Sequence, residues 1–81
     1  MKFSIKNKGL DGIMVYIEPS CDEIFLQADD VLLLMAKFES EAPFEFDVKS
    51  DSVVIWIPHG NSADAFINGS EVETMCSKFT W

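Results

Sequence analysis

A single histidine, His59, bounds the chemistry this chain could carry. Two-histidine-one-carboxylate iron sites and three-histidine zinc sites need more imidazoles than one chain supplies here. His59 is followed by Ser62 and Asp64, the side-chain types of a hydrolytic triad. Yet Pro58-His59-Gly60-Asn61-Ser62 has no nucleophile-elbow pattern, and a histidine in a Pro/Gly loop reads first as an exposed loop residue. Cys21 and Cys76 are far apart and form no CxxC pair, so zinc-ribbon and thioredoxin-like chemistry have no support. Both cysteines read as small, partly buried hydrophobes. Cys21 stands beside Asp22 and Glu23, whose charges raise a thiol pKa, the opposite of what a nucleophile needs. Cys76 has Lys78 nearby but no identifiable base. The pairs Asp22/Glu23, Asp29/Asp30 and Glu39/Glu41 lack the alternating ligands and distal Glu of an EF-hand. No GxxxxGK[ST] or GxGxxG segment exists to cradle a nucleotide. No catalytic residue, metal ligand or cofactor is therefore assigned.

The charge pattern narrows the partners. The chain has 81 residues, 14 acids and 6 basic residues, all of the latter Lys, for a net charge of -8. Lys2, Lys6 and Lys8 cluster at the N-terminus, whereas every acid lies between residues 9 and 77, accompanied there by only Lys37 and Lys49. Such a surface repels phosphate, and without Arg there is no bidentate contact to phosphate or guanine, so nucleic acid is not expected as a partner. Anionic membranes are disfavoured for the same reason, while a basic protein partner would be attracted. The longest apolar run, Val31–Ala36, is far short of the roughly 20 residues of a membrane span. Residues 1–8 alternate apolar and polar types instead of forming a secretory h-region. A cytoplasmic location is the default expectation.

Positioning falls to strands, because the dominant period is two. Phe44-Glu45-Phe46-Asp47-Val48-Lys49 alternates strictly, as does Lys2-Phe3-Ser4-Ile5-Lys6. Ile13–Ile17 and Val53–Ile57 are short runs rich in β-branched and aromatic residues, and Glu23–Gln27 is a further strand. Gly9-Leu10-Asp11-Gly12, Pro19-Ser20, Ser50-Asp51-Ser52 and Pro58–Ser62 separate these runs. Asn68-Gly69 separates Ala65–Ile67 from Glu71–Glu73 and supplies the two positive-φ residues of a type I′ hairpin. The sequon Asn68-Gly69-Ser70 reads as this turn. Residues 29–40 are ambiguous. As a helix, Asp29 would cap and Val31, Leu34, Met35 and Phe38 would share a face. As a strand, Leu32, Leu34, Ala36 and Phe38 would point inward. Flanking strands favour the strand. The fold expected is all-β, a small antiparallel sandwich or jelly roll of about seven or eight strands in one domain, residues 1–81. The alternative is α+β with a helix at 29–40.

Ile17-Glu18-Pro19, Asp22–Leu26 and Asp30-Val31, with Phe44–Val48, Asp51–Trp56 and Asn68–Val72, resemble a pattern in short uncharacterised bacterial all-β proteins. The resemblance spans residues 13–73 and implies a small jelly-roll-type fold and no activity. It departs at the turn before Val31, where the pattern usually has Gly and this chain has Ala28-Asp29.

Three runs are apolar on both faces. With Ile13, Val15 and Ile17 inward, Met14 and Tyr16 face out. With Val53, Ile55 and Ile57 inward, Val54 and Trp56 face out. With Leu32 and Leu34 inward, Val31, Leu33 and Met35 face out. Antiparallel sandwiches normally keep such faces polar. Either the C-terminal Met75–Trp81 segment or another subunit covers one of them, or so short a chain fills its core from both sides; Met14, Tyr16, Val54 and Trp56 are the interface candidates. The expected function is that of a small acidic, non-catalytic β domain acting through protein–protein interaction or homo-oligomerisation, as an inhibitor or accessory protein. A homodimer centred near Trp56 is its simplest form. The alternative is a small enzyme subunit whose site forms at an oligomer interface around His59. An acidic nucleic-acid mimic would instead need a continuous negative strip.

Overall fold

Each alternating run pairs with a neighbour that buries the same face. The computed structural model describes residues 1–81. Its strands are β1 (Lys2–Lys6), β2 (Ile13–Glu18), β3 (Asp22–Leu26), β4 (Val31–Ala36), β5 (Glu45–Val48), β6 (Ser52–Trp56), β7 (Ala63–Ile67) and β8 (Ser70–Val72), followed by a single 3-10 turn, Met75–Ser77. They form two four-stranded sheets, β1-β4-β7-β8 and β3-β2-β6-β5. This is the expected all-β sandwich. Every pair is antiparallel except β2 with β6, which run parallel. That parallel pair departs from the all-antiparallel ladder of a jelly roll: β3, β4 and β5 intervene between β2 and β6, so the connection is a long crossover instead of a hairpin.

The core lies between the sheets. Val15, Ile17, Leu26, Leu32, Leu34 and Ile55 are fully buried, joined by Ile24, Ile57, Ala63 and Ala65. The inward sets on β2, β4 and β6 are therefore the ones the alternation predicts, with one exception: β4 ends at Ala36, so Phe38, expected inward, lies in the following loop and is 53% exposed. At one edge β1 lies over β5, where Phe3 packs edge-on against Phe44 and Phe46, with ring centroids 4.6 and 4.8 Å away. At the other edge the Met75–Ser77 turn links β7 to the start of β3.

Residues 29–40 form strand β4 and a following loop. Asp29 is no helix cap: its φ is 69°, in a tight turn where Asp30 N–H donates to the Gln27 carbonyl and Asp29 N–H to that of Asn7. This is the turn that lacks the expected Gly, and Asp occupies the left-handed position in its place.

The Asn68-Gly69 hairpin forms as expected, with φ of 51° and 85° and Ile67 paired to Ser70. Asn68 also reaches sideways. Its Oδ1 accepts from Val31 N–H at 2.9 Å and its Nδ2 donates to Asp30 at 2.9 Å, tying the hairpin to the start of β4. Gly69→Val is expected to cost about 1–3 kcal/mol, because a β-branched residue resists positive φ. There is open space around Gly69, so the cost is conformational and not a clash. An unchanged urea midpoint would contradict it.

Candidate functional site

The four interface candidates come together on one surface. Register sets Met14 beside Phe25 on β3 and beside Ser52 on β6. Tyr16 lies between Glu23 on β3 and Val54 on β6, and Asp47 on β5 continues that row. Glu18, Trp56 and Glu45 make the next row. The outer face of the β3-β2-β6-β5 sheet is thus a diagonal stripe of Phe25, Met14, Tyr16, Val54 and Trp56. Glu18 and Glu23 flank it on one side, Glu45 and Asp47 on the other. Trp56 is 42% exposed and Phe25 56% exposed, whereas Met14, Tyr16 and Val54 are half-buried by their neighbours.

Two fixtures hold the aromatics in place. The Trp56 indole N–H donates to the Asp47 carboxylate at 3.0 Å, which orients a side chain that stays partly open to solvent. The Phe25 ring lies against Gly12, where a β-carbon would overlap it. Phe25 extends the stripe beyond the sequence-based set; its pairing with Met14 could be read only once the β2–β3 register was known. The acids do not fuse into one negative strip, since the aromatic stripe divides them.

The C-terminal segment covers neither outer face. Cys76 is fully buried against β7, where its thiol contacts the Ala63 carbonyl and Thr74 hydroxyl. Trp81 donates through its backbone N–H to Asn61 and through its indole to Met75. The segment closes the sandwich edge instead.

The remaining chemistry-bearing residues stay apart. His59 is exposed in its loop and makes no side-chain hydrogen bond; Ser62 is buried; Asp64 pairs with Lys37 at 3.7 Å. No hydrogen bond links His59 to Ser62 or Asp64. Of the two cysteines, only Cys76 is the buried hydrophobe expected; Cys21 is exposed, in the left-handed conformation with φ 63°. Its thiol pKa is raised, chiefly by the Glu18 carboxylate 3.7 Å away and also by Asp22, so Glu18 takes the part the sequence gives to Glu23. Burial pushes the Cys76 thiol up to about 11, which keeps it protonated at neutral pH. No cluster of three His, Cys, Asp or Glu side chains could hold a metal ion, and no helix is long and apolar enough to cross a membrane.

Sequence reasoning missed the polar residues that organise the loops. Asn7, only 4% exposed, donates to the Asp11 and Leu26 carbonyls and accepts from Gly9 N–H, joining the β1–β2 loop to the end of β3. Asn-x-Gly spacing hints at that side-chain turn, but nothing local marks the bond to Leu26. Comparison of the chain with protein-family models, with curated proteins and with solved structures finds no match.

Proposed function

We propose that this domain is a binding module whose outer β3-β2-β6-β5 face receives a cationic segment of a partner protein. The observation that carries this reading is the coincidence of an exposed aromatic stripe with carboxylates on both of its sides. Lysine and arginine carry long apolar stems and charged heads. The stems would lie along Met14, Tyr16, Val54 and Trp56, and the heads would reach Glu18, Glu23, Glu45 and Asp47. The partly exposed indole of Trp56 adds a cation–π partner. None of the four acids has an ion-pair partner in the chain, so a cationic ligand would displace no internal bridge. Two copies meeting through this face would set carboxylates against carboxylates, so charge favours a basic partner over a second copy here.

The test is calorimetric titration with a peptide of alternating Lys and Leu, against a Glu/Leu peptide as control. The expected result is binding of the basic peptide alone, weakened by added salt. Trp56→Ala and the pair Glu45→Gln/Asp47→Asn should each weaken binding at least tenfold while leaving the melting curve near wild type. Equal binding by these variants, or none by the wild-type protein, would overturn the proposal.

A further inference from the structure

The opposite face of the sandwich carries a different charge pattern. On the outside of the β1-β4-β7-β8 sheet, register sets Lys2 beside Met35 and Met35 beside Asp64. The next row runs Ser4, Leu33, Phe66, Glu71, and the third pairs Lys6 with Val31. An apolar stripe of Val31, Leu33, Met35 and Phe66 therefore has lysines along its β1 side and acids along its β7-β8 side. Met35 is 39% exposed and the other three are half-buried. Lys2, Lys6 and Glu71 have no ion-pair partner within the chain; only Asp64 has one, Lys37.

From this polarity we infer that the β1-β4-β7-β8 face pairs with the same face of a second copy of this chain. A two-fold axis parallel to the strands, between β4 and β7, lays β1 of each copy over β8 of the other. Lys2 and Lys6 then face the side bearing Glu71 and Asp64, twice over by symmetry, and the apolar stripe meets itself. An axis across the strands would lay lysine over lysine and acid over acid, so charge selects one arrangement of the two. Isologous pairing of this kind closes after two copies. The strands are five or six residues long apart from the three of β8, so the area is at the small end for specific interfaces, where transient complexes are common. The dimer would leave both aromatic-acidic faces outward, giving two receptor surfaces per particle and avidity for a partner with two cationic segments.

Light scattering coupled to gel filtration tests this, across roughly 5–500 µM protein. The mass of the wild-type chain should climb from 9.1 kDa toward twice that value. Lys2→Glu/Lys6→Glu makes both sides of the stripe acidic, and Asp64→Asn/Glu71→Lys makes them basic. Each variant alone should stay monomeric, and mixing the two should restore the dimer, because an all-acidic face then meets a basic one. A wild-type chain that stays at 9.1 kDa throughout overturns the inference. So do variants that dimerise like wild type, and a mixture that fails to recover. These substitutions leave the opposite face untouched, so basic-peptide binding by the variants reports on the first proposal separately.

Discussion

Asn61→Ala is expected to lower stability by about 3–4 kcal/mol, because one buried amide serves three backbone groups. Asn61 is 1% exposed. Its Nδ2 donates to the Phe38 carbonyl at 2.9 Å, while Oδ1 accepts from Phe38 N–H at 3.2 Å and from Ser62 N–H at 2.9 Å. The side chain thus acts as one more rung of a ladder, stitching the chain beyond β4 to the chain entering β7. Alanine leaves the buried Ser62 N–H and the part-buried Phe38 N–H and carbonyl without this partner, a buried orphan being worth about 1–3 kcal/mol, and adds a cavity. For an 81-residue domain, total stability is on the order of 4–12 kcal/mol, so the loss removes a large fraction of it. Asn61→Asp tests the cause: it keeps the shape but cannot donate to Phe38, so it should be at least as damaging. A urea midpoint for Asn61→Ala that places the loss below about 1 kcal/mol would show that water replaces the amide.

The same loop shows where reading the sequence stops. Pro58–Ser62 is legible as a strand-ending turn, and His59 draws attention as the only imidazole. The residue that organises the turn is Asn61, and its partner Phe38 is more than twenty positions away in the chain. An asparagine buried by such a contact looks, in one sequence, like any solvated loop asparagine. Strands were legible because their signal is local: alternation at Phe44–Lys49 and the β-branched runs at Ile13–Ile17 and Val53–Ile57 each fix a period over a few residues. Facing was legible too, since the period is two. Thus Met14, Tyr16, Val54 and Trp56 fall on one outer face as read. The order of strands was not legible, because the parallel β2–β6 pairing depends on how the long crossover closes. The rim of the candidate face follows from that order: Glu45 and Asp47 flank Trp56 only because β5 lies beside β6. The polarity of the opposite face likewise needs β1 and β8 at opposite edges.

The turn at Met75–Ser77 hangs on Asp22, and Asp22→Ala is expected to release it at a cost of about 2–4 kcal/mol. Asp22 Oδ1 accepts from Met75 N–H at 2.8 Å; Oδ2 accepts from Cys76 N–H at 2.8 Å and from the Ser20 hydroxyl at 2.7 Å. These are short bonds to a carboxylate, roughly twice as strong as neutral ones, and they join the first residue of β3 to the end of the chain. Thr74, at the N-terminal side of the turn, makes no capping bond of its own, so the carboxylate is the side chain that accepts the turn's first two N–H groups, while Lys37 donates to the Ser77 carbonyl at its other end. Removing it exposes Cys76, which is now fully buried. The two thiols make this visible. In the wild-type protein a maleimide should modify exposed Cys21 and leave Cys76 largely unreacted under native conditions. In Asp22→Ala both should react, the Cys76 rate rising at least tenfold. Asp22→Asn should fall between, since its single amide oxygen cannot accept all three bonds. If Cys76 stays protected in Asp22→Ala while stability falls, the thiol is held by its contacts with Ala63 and Thr74, and the carboxylate is a fold-wide clamp instead of the anchor of this turn.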